Sequence, residues 1–487
     1  MRKRLNISSI ILTCCILLAS CSDQKISTNP AYRLSFSTDT ISFDTVFTTI
    51  GSTTANFMIY NHNSQPVSIS SVTLENGATS GFKINVDGTI PTNNQLSNIE
   101  IKAHDSLYVF VEVTVNPTQQ NNPLLIQDSI MFITNGNTQS VKLRAYGQDV
   151  TIFRNKTIHN DTTLTATKPY LIYGYLAIDN GKTLTINPGA TLYFHSNAYL
   201  KVNGNLIADG KSGNPITFRG DRLDDLFPGV PYRYLSGQWG GIQLLGNRST
   251  YSLNYAVIAG GTIGIALPNG TTAQQPIATI GNSRIQNFDS CGIFARNALV
   301  TIYNSEISNC KSYCLYFLGG TYNLTHNTVA NYYNDIYTNQ HRDGTPSVML
   351  LNTEQIGQNT LLYPINAQFV NCAIAGSLTS EFEFSNTNVS APLQYSFDHC
   401  YIMSPPIQSQ SQTITNVQWG TQTDDLFRCT SISNNSYYDF RPDSLSQLRK
   451  KANIIISEQP LYRYDMNGND RLWDNLPDIG AYQWLPK

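Results

Sequence analysis

Apolar positions recur along the middle of this chain at a fixed interval. Asn282-Ser283-Arg284-Ile285 is followed by Asn304-Ser305-Glu306-Ile307 and by His326-Asn327-Thr328-Val329, so Ile285, Ile307 and Val329 are each 22 residues apart. A companion position repeats with them: Ile293 in Gly-Ile-Phe, Leu315 in Cys-Leu-Tyr 22 residues later, and Ile336 after a further 21. Short β-type runs at a fixed period predict a solenoid, in which each repeat buries its apolar side only against its neighbours. Outside the triplet the spacing stretches. Ile258 precedes Ile285 by 27, read as one coil with an insertion across Pro268 to Pro276. Ile374 follows Val329 by 45, read as two coils, and Ile402 follows 28 later. Residues 151 to about 410 would hold roughly nine to eleven coils at this period.

A different pattern precedes the repeat. From Leu34 to about Val150, short alternating runs such as Phe57-Met58-Ile59-Tyr60 and Tyr108-Val109-Phe110-Val111 are separated by turn clusters such as Asn135-Gly136-Asn137. Six or seven such runs predict a β-sandwich over residues 34–150. The fold class expected is therefore all-β: an N-terminal sandwich, then a right-handed parallel β-helix over 151–430, then a C-terminal cap over 431–487. In the tail, Asp443 to Lys451 reads as a short helix, with Pro442 near its start and cations in its last turn. The tail is expected to cover the open edge of the last coil.

The first residues are a leader. Arg2, Lys3 and Arg4 precede an apolar stretch, Ile10-Ile11-Leu12 through Leu17-Leu18, that is too short for a membrane-spanning helix. It ends in Leu18-Ala19-Ser20-Cys21, which resembles a bacterial lipobox. The resemblance implies that residues 1–20 are removed and that Cys21 becomes an acylated N-terminus, with residues 21–33 as lipidated cysteine and tether. The lipid bilayer, engaged through the Cys21 acyl chains, is then the first partner, and Ser22 after the cysteine fits outer-membrane sorting and a cell-surface or periplasmic face. No later apolar run is long enough to cross a membrane, so the remainder is expected to be a soluble, exported body.

Composition narrows the function. Only 13% of residues are charged and the net charge is −2, which argues against nucleic acid as a partner. The chain carries 28 Tyr and 20 Phe, which suits β structure. Three of the nine cysteines, Cys14, Cys15 and Cys21, belong to the leader. The others match no zinc spacing. Cys372 and Cys400 share the repeat slot of Ser283 and Ser305, so they read as stacked buried thiols, with a disulfide between coils as the alternative.

Two resemblances bear on architecture. Leu184 to Phe194, Leu200 to Ala208 and Pro215-Ile216-Thr217-Phe218 resemble the opening coils of right-handed parallel β-helix proteins of the pectate-lyase-like superfold, and Pro477-Asp478-Ile479-Gly480-Ala481-Tyr482 resembles the closing segment of bacterial surface β-helices. Phe43 to Ser52, followed by a strand and Tyr60-Asn61, resembles immunoglobulin-like modules of the hydin and abnormal-spindle type, which implies a spacer.

The candidate ligand-binding residues lie in one long insertion: Asp224, Asp225, Tyr232, Arg233, Tyr234 and Trp239. A loop on a rigid stack is a common place for function, and its aromatics and charges suit sugar rings and hydroxyls. The competing reading sends Trp239 and Ile242 back into the core and pairs Asp with Arg at the surface. A glycosidase would need Asp289, Glu306 or Asp335 to join Asp224 and Asp225, and a lyase would draw on His341, Arg342 and Asp343. Solvated turns are the bland alternative, and no residue is assigned as catalytic. Asp465-Met466-Asn467-Gly468-Asn469-Asp470 lacks EF-hand spacing and reads as an Asx-rich turn, so no metal site is assigned. No motif implies a cofactor. The function expected is a non-enzymatic outer-membrane lipoprotein that binds polysaccharide, other glycan or a surface protein. A lyase or hydrolase on the same scaffold is one alternative, and a structural adhesin another.

Overall fold

The computed structural model describes residues 25–486 apart from 228–229, 272, 336–338, 386–389, 409–411 and 433–436. Cys21 and Ile336 lie outside the described residues. The chain divides into two compact units, Met1–Asp149 and Val150–Lys487.

The first unit is a β-sandwich. One sheet has four strands (Ser35–Phe36, Ala55–Asn61, Asp105–Val113, Phe82–Val86) and the other six, centred on Asn137–Gln148 and Leu124–Thr134. Alternation decides what is buried. Phe57, Ile59, Val109 and Val111 from one sheet meet Val72, Ile130, Phe132 and Val141 from the other in one core. Phe57 packs edge-on against Phe132 with ring centres 6.3 Å apart.

The second unit winds into a parallel β-helix built on a 26-stranded sheet. Its first face carries an inward column, Phe218, Ile258, Ile285, Ile307, Val329, Ile374 and Ile402, paired coil to coil. All seven are fully buried. The second face stacks Leu200, Ile242, Ile265, Ile293, Leu315 and Val348. The third alternates large and small side chains, Tyr251 on Ala278 and Tyr322 on Ala367, which fills the interior without overpacking.

Two spacings take corrected readings. Val329 pairs directly with Ile374, so those 45 residues form one coil, not two. Chain leaves the stack at residues 332–347 and again at the hairpin of Thr353–Ile356 with Asn359–Leu362. Leu315 is continued by Val348 for the same reason.

Asparagine supplies the bends. Where the third face turns into the first, Asn282, Asn304, His326, Asn371, His399 and Asn416 all have positive φ, between 46° and 55°. Asn tolerates this left-handed conformation better than most residues, and its amide links coils: Asn282 donates to Asn254 at 2.9 Å and Asn304 to Asn282 at 3.3 Å. The next position forms a second ladder. The Ser283 amide donates to Ser305 Oγ at 3.1 Å and the Ser305 amide to Asn327 Oδ1 at 3.0 Å. Cys372 and Cys400 continue this ladder as buried free thiols. The Cys372 Sγ donates to the Val370 carbonyl at 3.3 Å.

The tail departs from expectation. Residues 443–451 form turns, and the helix is instead the single turn Ile454–Ser457, capped by Asn453. Local propensity yields here to tertiary bonding: the Leu448 carbonyl accepts the Ile479 amide, and Ser446 Oγ donates to Leu426. The described part of the tail packs on the flank of the coils. It runs along the outer side of the first face. That side is apolar from Ala330 through Ala373, Ala375 and Met403, and it buries against Leu426, Phe427, Phe440, Leu448 and Ile479.

Buried polar groups fix the strap. Gly480 donates to the Asn371 carbonyl at 2.8 Å and Ala481 to Thr328 Oγ1 at 2.9 Å. The Asp478 carboxylate accepts from the Lys450 and Trp484 amides at 2.8 and 2.7 Å. Burial nevertheless raises its pKa from 3.8 to about 6, against the pull of those donors and Arg471. A carboxyl whose folded pKa is raised favours the folded state in its protonated form, so this contribution grows as pH falls from 6 towards 4. Asp398 and Asp439 have lowered pKa values and weaken the fold only at more acidic pH. Amide exchange at Gly480 and Ala481, corrected for intrinsic rates, should therefore be slower at pH 4.5 than at pH 7 by about 2 kcal/mol of opening free energy. Asp478→Asn should remove the difference, and equal protection at both pH values in the native chain would contradict this account.

Candidate functional site

The insertion between Gly220 and Gly241 holds its charges and rings by mutual contact. Arg222 forms a two-pronged pair with Asp224, at 2.7 and 2.6 Å, and its guanidinium lies 4.0 Å from the Tyr232 ring centre. That carboxylate holds the Arg222 pKa above its usual value. Asp225 enters a small antiparallel pairing opposite Pro231. Arg233 lies over the Tyr234 ring at 4.8 Å and donates to its hydroxyl at 3.1 Å. The Tyr234 ring stacks on Tyr437 with centres 3.5 Å apart. Trp239 is fully buried, stacked on Phe194 at 4.2 Å, and its indole N–H donates to the Ala259 carbonyl at 2.8 Å. Of the two readings of Trp239, the core position is the one observed. The insertion is thus a self-tied corner, joined to its neighbour by Ser236 Oγ and the Tyr333 hydroxyl at 2.9 Å.

A second surface lies on the outward side of the second face. In register, Lys201, Gln243, Ala266, Phe294, Tyr316, Met349 and Glu383 form an outward column. At one end the Lys201 ammonium lies 5.3 Å from the Tyr175 ring centre and 5.5 Å from that of Tyr199. The Tyr199 ring occupies the space a side chain at Gly240 would fill, with a Cβ there 2.1 Å from the ring. Further along, Phe294 and Tyr316 have ring centres 5.7 Å apart, and Tyr313 meets Tyr316 edge-on at 5.0 Å.

Ion pairs border this strip. Arg296 pairs with Glu354 at 2.6 Å, and Glu354 also accepts from the Tyr363 hydroxyl at 3.2 Å. At the other margin Lys311 lies 3.8 Å from Asp289, whose buried Oδ1 has no hydrogen-bond partner. Asp343 accepts from Ser312 Oγ at 2.6 Å. Burial raises the Tyr313 and Tyr316 hydroxyl pKa values, with further contributions from Glu383 and Asp343 at Tyr313 and from Glu354 at Tyr316. Half-exposed rings with polar margins suit a sugar, whose C–H faces stack and whose hydroxyls exchange hydrogen bonds.

Sequence reasoning passed over these residues although the signal was present. Phe294 and Tyr316 follow Ile293 and Leu315 in the repeated tripeptides, so the outward aromatic carries the same 22-residue interval as the core. Lys201 and Tyr199 carried no such mark.

The other candidate catalytic residues are separated. Glu306 is buried under the tail, where it accepts from Ser308 Oγ at 2.8 Å and from the Tyr482 hydroxyl. Arg284 reaches it at 3.6 Å, so this carboxylate belongs to the strap. The side chain of Asp335 lies outside what is described. His341 bonds Asn334 at 2.9 Å. Arg342 is a buried staple: it grips Glu381 at 2.7 and 2.8 Å and donates to the Asn331 and Thr345 carbonyls, each at 2.7 Å. Asp465 accepts from the Asn467, Asn469 and Gln483 amides and the Asn469 side chain. A carboxylate so surrounded by donors forms an Asx turn. Among the described residues no group of three or more His, Cys, Asp or Glu is placed to hold a metal ion.

No family model matches this chain. A 72-residue stretch, 15% of the chain, is 38% identical to the protein bark beetle of Drosophila melanogaster and spans 2% of that protein's length. Among solved structures, a family 123 glycoside hydrolase from Clostridium perfringens aligns over 24% of this chain and 26% of its own, at 11% identity and a TM-score of 0.17. The ASH/PapD-like domain of human CEP192 aligns over 27% of this chain and 95% of its own, at 12% identity and a TM-score of 0.17. Likeness at that level carries no functional argument.

The Arg342–Glu381 pair gives the test of this reading of the insertions. Arg342→Ala leaves a buried carboxylate without its main partner and should cost about 3–5 kcal/mol in denaturant unfolding of the helix unit. Arg342→Met with Glu381→Leu should cost markedly less. Equal losses would mean that the pair is not the buried staple described.

Proposed function

We propose that this chain is a lipid-anchored surface protein that binds glycan, without turning it over, on the aromatic strip of its second face. Cys21 is the acylated residue and the outer membrane its site of attachment, with the sandwich as a spacer of the immunoglobulin-like, hydin and abnormal-spindle type. This places the chain, as a proposal, beside bacterial surface lipoproteins with a parallel β-helix. The lipobox-like leader supports the anchor. Among the described residues no helix is long and apolar enough to cross a membrane.

The observation that carries the binding reading is the Phe294–Tyr316–Tyr313 cluster, held half-exposed on rigid strands with charged pairs at both margins. Coils repeat about every 4.8 Å, so a linear polymer lying along the axis meets Phe294 and Tyr316 on successive coils without bending. The 221–239 insertion is then a rim, with Tyr232, Arg233 and Tyr234 shaping one corner.

One observation favours a second reading. Asp289 lies beside Gly237 and 3.8 Å from Lys311, whose carbonyl accepts the Asp343 amide, and the Asp289 Oδ1 has no hydrogen-bond partner. A hydrolase or lyase would draw its acid or base from that corner.

The chain without its leader should bind a subset of glycans on an array, and Tyr316→Ala should weaken that binding about tenfold. Cys21→Ala should release the full-length protein from membranes and leave glycan binding unchanged. Uniformly flat binding across polysaccharides would contradict the proposal. Release of products, lost in Asp289→Asn, would establish the enzymatic reading instead.

A further inference from the structure

A separate cleft opens on the first face, where the strap ends its run. It holds about 220 Å³ and is lined by the turn at Lys211, Ser212, Gly213 and Pro215, by Tyr255 and Val257 with Asn282 and Arg284, and by Met466 and Asn467 of the tail. No part of it belongs to the aromatic strip on the second face. Ligand pockets commonly measure roughly 300–1,000 Å³, so this one suits a single ring and not a chain.

The chemistry of its walls is specific. Val257, Pro215 and Met466 supply an apolar side. Among the described residues the Lys211 ammonium has no ion pair, and the Tyr255 hydroxyl, Ser212 hydroxyl and Asn467 side-chain amide have no hydrogen-bond partner. Arg284 also lines the cleft, but its charge is already matched: its guanidinium donates to the Tyr482 hydroxyl at 3.0 Å, and its Nε lies 3.6 Å from the Glu306 carboxylate. Asn282, by contrast, is committed to the inter-coil ladder.

Tyr255 marks the cleft in another way. It occupies the slot that Asn282, Asn304, His326 and Asn371 fill in later coils, since Asn254 pairs with Gly281 and the Ala256 amide reaches Ser283. Its backbone is left-handed, with φ 46°. For a bulky residue this conformation is unfavourable, and asparagine would hold the same bend at lower cost. An aromatic kept at such a position, facing a cleft of unengaged polar heads, points to a ligand.

We propose that this cleft binds one pyranose unit carrying a carboxylate, a uronic acid residue. The Tyr255 ring stacks on the sugar's C–H face, Ser212 and Asn467 bond its hydroxyls, and Lys211 faces the carboxylate. The site is independent of the strip on the second face and stands whether or not that strip binds glycan.

The test uses the full mature chain in detergent, titrated calorimetrically with glucuronate, galacturonate, glucose, galactose and inorganic phosphate. At least one uronate should bind, with the matching neutral sugar and phosphate each weaker by about tenfold or more. Lys211→Ala should weaken uronate binding about tenfold. Tyr255→Asn, which relieves the backbone and should fold at least as well, should abolish it. Tyr316→Ala on the other face should leave it unchanged. Absence of uronate binding at millimolar concentration, binding of neutral sugar or phosphate as tight as that of the uronate, or unaltered binding in both cleft variants would overturn the proposal.

Discussion

Each coil of the helix presents a strand edge whose N–H and C=O groups can be satisfied only by the next coil. Everything else in the second unit follows from keeping that pairing in register over a 26-stranded sheet. In-register parallel pairing places like positions over one another, so the interior becomes columns of Ile, Leu and Val and the bends become ladders of Asn and Ser. One displaced residue would move an apolar column to the outside. The bends therefore carry residues that tolerate left-handed backbone, and the insertions leave from corners without disturbing the columns.

The same constraint explains where chemistry can sit. Strands give rigid, evenly spaced outward positions, and the Phe294–Tyr316 cluster uses them. Insertions give variety, yet the 221–239 segment is held by its own Arg222–Asp224 and Tyr234–Tyr437 contacts. The tail adds a third possibility. By returning along the first face it brings Met466 and Asn467 beside Lys211 and Ser212, more than 250 residues earlier in the chain.

How much of this could be read from the chain depends on how regular each stretch is. The column through Ile285, Ile307 and Val329 was legible because three successive coils there carry no insertion. The 45-residue interval to Ile374 misled because two insertions together equal about one coil. The helix expected over 443–451 is replaced by turns, because these follow from contacts with a flank whose need for cover no local pattern reveals. The outward aromatics shared the core's period and were visible beside it. The cleft was not legible at all: its two sides meet only in three dimensions, and only the tyrosine in an asparagine slot hinted at it.

The stacked register is the central claim, and paired cysteines test it most directly. Thr301 and Asn323 are register partners on the outward side of the third face, and Asn323 is followed by Gln368 in the next coil. Thr301→Cys with Asn323→Cys should cross-link readily under mild oxidation, since neighbouring coils lie within disulfide reach. Thr301→Cys with Gln368→Cys, two coils apart, should not. Cross-linking of the second pair, or failure of the first in folded protein, would contradict the winding described.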